Sequence, residues 1–120
     1  MTARPAYSVA LPPSREVTEH ARAAAELGYS RVWVFDSPSL YGDVWVALAR
    51  IAESVPGIGL ATGVAVPSLR HPMVTASAIA TIEELTPDAR TREIGRMLSG
   101  EHVTPEALRH AEKLRKLAGQ

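Results

Sequence analysis

Apolar residues fall into three short blocks along this chain. Each block is followed by a longer stretch in which they recur every three or four positions. Tyr7–Leu11 is the first block, a predicted strand closed by Pro12-Pro13. Behind it Val17, Ala21, Ala24 and Leu27 repeat at helical spacing, with Ser14 as the expected N-cap and Gly28 as the residue that leaves the helix with positive φ. The second block, Val32-Trp33-Val34-Phe35, shows no polar alternation, which is the pattern of a parallel strand covered on both faces. Asp36–Gly42 is polar and turn-rich. Asp43 then caps a second predicted helix carrying Val44, Ala47, Leu48, Ile51 and Val55, and Pro56-Gly57 stops it. Ile58–Val64 is the third predicted strand. Arg70-His71-Pro72 opens a third helix, with Pro72 at the first position, where a missing N–H costs nothing. Val74, Ala78, Ile82 and Leu85 share one face of it. Strand and helix thus alternate three times at a spacing of roughly 25 residues, which predicts right-handed βαβ units on a parallel sheet.

After Thr86-Pro87-Asp88 the rhythm breaks, and no convincing fourth strand follows. Arg90–Leu98 reads as a short helix interrupted by Ser99-Gly100. Thr104-Pro105-Glu106 starts a last helix with an N-cap, a proline at the first position and an acid in the first turn. Leu108, Ala111, Leu114 and Leu117 give that helix a narrow apolar stripe. The expected division is therefore 1–88 as three βα units and 89–120 as a helical tail. The 120 residues make one domain, about half of a typical barrel of roughly 250 residues.

Composition narrows the partners. Thirteen basic residues balance thirteen acidic ones, so no basic excess points to nucleic acid or an anionic membrane. Without cysteine there is no disulfide framework and no thiolate metal site. No apolar run is long enough for a signal peptide or a membrane span, and the expectation is a soluble cytoplasmic protein. His20, His102 and His110 have no ligand partner at useful spacing, so no metal site is expected. No GxSxG, P-loop or GxGxxG pattern occurs. Trp33 and Trp45 read as core and interface aromatics.

Ligands collect at the carboxyl ends of parallel strands, and that places a few residues in view. Asp36 and Ser37 follow the second strand, although an Asx turn into Pro38 also accounts for them. Gly63 would let the backbone approach a flat ligand with no Cβ in the way, or, with Gly59, would simply permit close packing. His71 is either a polar contact to a ligand or the cap of the third helix.

Residues 7–85 resemble the N-terminal third of the luciferase-like monooxygenase superfamily, barrel enzymes that use FMN or the deazaflavin coenzyme F420. The resemblance is carried by Glu26-Leu-Gly-Tyr-Ser-Arg-Val-Trp33, Asp36, Asp43-Val-Trp-Val-Ala-Leu48, Thr62-Gly63-Val64 and Arg70-His71-Pro72, in that order. Thr81–Arg90 resembles the family's third-helix exit, and Arg96–Thr104 a segment that lies further along. This implies an internal loss of the fourth βα unit, with strands five to eight also absent. The implied fold is α/β, a partial (β/α)8 TIM-barrel-type fold. The implied activity is that of a flavin- or deazaflavin-dependent oxidoreductase or monooxygenase acting on a small-molecule substrate.

In that family the cofactor ring rests on the end of the third strand, where a bulge with an unusual cis peptide supports it. Thr62, Gly63 and Val64 occupy that position. Deazaflavin-dependent relatives often place a histidine after the aspartate of the second strand. Ser37 stands there instead, which speaks against a histidine base, and no catalytic residue is assigned. The family holds the cofactor phosphate mainly with later parts of the barrel, so the chain is expected not to turn over substrate unaided. The competing class is a non-catalytic interaction module, or a degenerate remnant that pairs with a full-length relative. Open sheet edges make a homo-oligomer, or pairing with a larger relative, the expected state.

Overall fold

In the computed structural model, which describes residues 5–86 and 104–118, three strands run parallel in the order β1 (Ser8–Leu11), β2 (Arg31–Val34) and β3 (Gly59–Thr62). Each is followed by a helix: α1 (Val17–Glu26), α2 (Val44–Ser54) and α3 (Pro72–Leu85). A short 3₁₀ turn, Pro67–Leu69, precedes α3. A fourth helix, α4, spans Pro105–Ala118. All three blocks read as strands are strands; β1 and β3 are shorter than their apolar runs, and β2 starts and ends one residue earlier than its run. The segment expected to form a short helix, Arg90–Leu98, lies outside the described residues.

Register sorts the side chains into two layers. Val9, Val32 and Leu60 are aligned across the sheet, as are Leu11, Val34 and Thr62. Side chains alternate along a strand, so both rows face the same way. That way is toward the helices. Val32 and Val34 are fully buried with Val17, Ala21, Val44, Ile51 and Val55, and Val9, Leu11 and Leu60 pack against this cluster. Burying one such branched side chain stabilises the fold by roughly 1.5–3 kcal/mol. The opposite row, Ala10, Trp33 and Ala61, is not buried. The second strand was expected to be covered on both faces. Among the described residues only its helix face is, because α1 and α2 both lie on that side.

Local signals decide where the helices begin and end. Asp43 accepts from the amides of Trp45 (2.9 Å) and Val46 (3.1 Å), the expected N-cap of α2. Val44, Ala47, Leu48, Ile51 and Val55 are all buried, as their spacing predicts. Gly28 ends α1 with φ of 89°, a conformation open to glycine at little cost. In α4 the Thr104 hydroxyl accepts from the Ala107 amide at 3.1 Å, the expected cap at the third helical residue.

Other expectations fail for clear physical reasons. Ser14 does not cap α1 with its side chain. Its amide closes a tight turn on the Pro12 carbonyl (2.8 Å), and α1 starts only at Val17, after Glu16. The Ser14 carbonyl instead receives the Arg50 guanidinium at 3.3 Å, and the Arg15 carbonyl receives it at 2.7 Å, which ties α2 to the β1–α1 turn. Leu27 lies past the helix, where Gly28 turns the chain away, and is 78% exposed. No residue of α3 is fully buried, since α3 packs on α2 more than on the sheet; Val74 is 53% exposed. In α4 the stripe is buried through Ala111, while Leu117 is exposed.

Ile51→Ala is expected to lower stability by about 2–5 kcal/mol, the cost of a large-to-small change at a fully buried site. Leu27→Ala should change it by no more than about 0.5 kcal/mol. Urea midpoints of the two variants check the assignment of the core.

Candidate functional site

Parallel strands bring their carboxyl ends to one rim, and the chain turns there into its loops. The ladder runs slightly past the strands. Phe35 donates to the Leu11 carbonyl at 3.2 Å, and Gly63 donates to the Val34 carbonyl at 2.8 Å. Thr62 and Gly63 are therefore held against β2 by backbone bonds, while Val64, the next residue, is 73% exposed. The peptide bond joining Gly63 to Val64 is cis.

Gly63 faces the same layer as Trp33. A Cβ built on Gly63 would lie 3.2 Å from the Cβ of Trp33. The missing side chain thus makes room for a neighbouring strand residue and does not simply open a path to a ligand. Trp33 is half-buried, and its ring carries the Arg31 guanidinium at 5.7 Å from the ring centre. Phe35, two residues on, meets Tyr41 of the β2–α2 loop with ring centres 6.2 Å apart.

Asp36 stands at the end of β2. Its carboxylate does not form an Asx turn into Pro38. It reaches across to the next unit and accepts the Val66 amide at 2.8 Å, in a partly buried position. Ser37 contributes its carbonyl to the same loop, accepting from Leu40 and Tyr41 at 3.0 Å each. A second carboxylate of the β2–α2 segment also grips the β3–α3 segment. Asp43, while capping α2 with one oxygen, pairs with Arg70 through the other. Both side chains of that pair are about one-third exposed, so it contributes on the order of 0–1 kcal/mol.

His71 is exposed and is the N-cap of α3, its Nδ1 accepting the Met73 amide at 3.2 Å. Its hydrogen bond is spent on its own helix. The rim therefore joins Asp36 to the segment that follows Thr62–Gly63–Val64, and His71 stands further along that segment. The two cross-loop contacts, Asp36 to Val66 and Asp43 to Arg70, were not readable from spacing. Their partners are about 30 residues apart and meet only because β2 and β3 are neighbours.

An open groove of about 630 Å³ lies elsewhere, between α2 and α3, lined by Trp45, Val46, Arg70, Met73 and Val74 among others. Among the described residues no helix is long and apolar enough to cross a membrane.

The family model for luciferase-like monooxygenases matches residues 1–115. The chain belongs to this family. It is 29% identical over 96 residues to the 5,10-methylenetetrahydromethanopterin reductase of Methanolobus tindarius, a match covering 80% of this chain and 28% of that protein. It also superposes on the coenzyme F420 dependent tetrahydromethanopterin reductase of Methanopyrus kandleri, with a TM-score of 0.60 and 28% identity. That match covers 68% of this chain and 24% of that structure. The chain thus spans about a quarter of the length of these relatives. Its three parallel βα units are part of a TIM-barrel-type α/β fold, as its sequence predicts.

Gly63→Ala is expected to destabilise the chain by about 1–3 kcal/mol. The new methyl would press on the Trp33 Cβ, which is fixed in the central strand and cannot swing away. The measurement is urea unfolding followed by circular dichroism.

Proposed function

We propose that the rim formed by Thr62, Gly63 and Val64 supports the ring of a redox cofactor, with Asp36 and Ser37 beside it and His71 at its edge. The observation that carries this reading is the rim itself. It lies at the carboxyl ends of parallel strands, with backbone held flat against β2 up to Gly63 and open to solvent at Val64. The small side chains of Ala10 and Ala61 flank Trp33 on the same open layer, which leaves room for a planar, largely apolar group. The residues present therefore fit a flavin-type ring. Coenzyme F420 is the first choice and FMN the second, because the solved relative is F420-dependent by name.

When bound, such a ring supplies hydride transfer, and the reaction is the cofactor's own. The chain's part is to orient the ring through the rim backbone and to keep water from its underside with Ala10, Trp33 and Ala61. The activity proposed is that of a luciferase-like oxidoreductase acting on a small molecule in the cytoplasm, without nucleic acid or membrane as partner. Oxygen-using monooxygenase chemistry is the FMN variant of the same reading. Residues 1–88 would be the barrel portion and 89–120 an appended helical tail. The 120 residues by themselves are taken to be inactive, since the family holds the cofactor phosphate mainly with later parts of the barrel. Each charge-assisted hydrogen bond forgone costs about 1.5–3 kcal/mol.

A second reading has a specific observation behind it. β1 and β3 each pair on one side only among the described residues, and the row of Ala10, Trp33 and Ala61 is not buried. An interaction module, or a remnant that pairs with a second copy or a full-length relative, would use these edges and this face.

Fluorescence titration separates the two. Coenzyme F420 should bind weakly but saturably, with a dissociation constant above micromolar, and FMN should compete. No saturable binding of either ring at millimolar concentration would remove the cofactor reading. Assembly is tested independently by sedimentation equilibrium at tens of micromolar. Dimers or larger species are expected, and a stable, cooperatively unfolding monomer would rule out the pairing.

A further inference from the structure

The segment from Val64 to His71 is tethered at few points. Gly63 is the last residue bonded to the sheet, through the Val34 carbonyl at 2.8 Å. The next tether is the Val66 amide on the Asp36 carboxylate, also at 2.8 Å. Leu69 then closes the 3₁₀ turn on the Val66 carbonyl at 3.1 Å, and Arg70 pairs with Asp43 before α3 begins. Only Val64 and Ala65 lie between the two tethers nearest the rim. The side chain that bonds this segment nearest the rim is that of Asp36, whose own backbone continues from β2. This bond is partly shielded from water, where leaving the amide without an acceptor is costly.

We propose that Asp36 is a positioning residue. By accepting the Val66 amide it fixes the conformation of Val64 and Ala65, and through them the shelf on which a cofactor ring would lie. This rests on the ring-binding reading above. The role belongs to the acceptor oxygen and not to the negative charge, so it differs from that of an acid, a base or a ligand contact. It is also a specific kind of support. A side chain at the end of one rigid strand holds the loop that leaves the next, which is how a site keeps its geometry when its own residues are mostly backbone.

Two substitutions test it in the full 120-residue chain. Asp36→Asn keeps an oxygen acceptor in place; Asp36→Ala removes it. Neither touches Val32, Val34 or the helix-facing core, and the Arg70–Asp43 pair still anchors the far end of the segment. Amide hydrogen exchange by NMR should show the Val66 amide exchanging about tenfold faster or more in Asp36→Ala, the fold-change that one such bond represents. The backbone chemical shifts of Val64 and Ala65 should move with it, while those of Val32 and Val34 should not. The Val66 amide proton should resonate further upfield in Asp36→Ala than in the unsubstituted chain. Asp36→Asn should keep most of the protection.

In the same proteins, affinity for coenzyme F420 should fall about tenfold or more in Asp36→Ala and little in Asp36→Asn. Unchanged Val66 exchange in Asp36→Ala would overturn the proposal. So would lost protection at Val66 with Val64, Ala65 and ring affinity unaffected, or an Asn variant as damaged as the Ala variant. If the unsubstituted chain binds no ring at all, the cofactor reading fails by itself. The chemical shifts of Val64 and Ala65 still decide whether Asp36 sets their conformation.

Discussion

Among the described residues the three-stranded sheet and its first two helices are arranged around β2. It is the central strand, bonded to β1 on one side and β3 on the other, and its two valines are completely buried. Val32 and Val34 can be buried only if α1 and α2 lie on the same face of the sheet. A right-handed crossover after each parallel strand places them there. Once that is settled, the alternate residues Arg31, Trp33 and Phe35 must face the other way, and the carboxyl end of β2 must meet the loop leaving β3. The core, the open layer and the rim are three consequences of one pairing.

How much of this could be read from sequence depends on the range of the interaction. Val44, Ala47, Leu48, Ile51 and Val55 announce their burial by spacing alone, since a helix packed on a sheet needs one apolar stripe. Asp43 and Thr104 announce their caps, because the amides they satisfy are two or three residues away. Ser14 shows the limit of that logic. A capping residue type lies at a plausible distance, but two prolines force a tight turn first, and the helix starts later. Leu27 fits the helical period but lies after the glycine that ends the helix, so its periodicity carries no burial.

The rim was legible in part. Strand ends were visible, and so were the residues at them. What the sequence could not supply was the pairing across units. For Asp36 the sequence offers a strand-end ligand contact or a local turn, because nearby partners are the only ones that spacing reveals. Its true partner, Val66, is brought near by the register of β2 and β3. Asp43 with Arg70 is the same case. Gly63 was ambiguous between ligand access and packing, and the geometry assigns its missing Cβ to Trp33. Where family resemblance named a position, it did not say what physically held that position in place.

The two faces of the sheet differ in what they require. On the helix face Val32 and Val34 are buried, and Val9, Leu11 and Leu60 pack partly buried against the same cluster. The other face carries Ala10 and Ala61 beside one large aromatic, Trp33. Small residues there contribute little burial of their own, so the fold's stability is drawn almost wholly from the helix side. That asymmetry leaves the open layer and its rim outside the hydrophobic core. A residue such as Asp36, which stabilises no core contact, can then be kept for geometry alone. It converts the rigidity of the most buried strand into a fixed direction for the loop beside it, at the end of the sheet where parallel-strand proteins place their ligands.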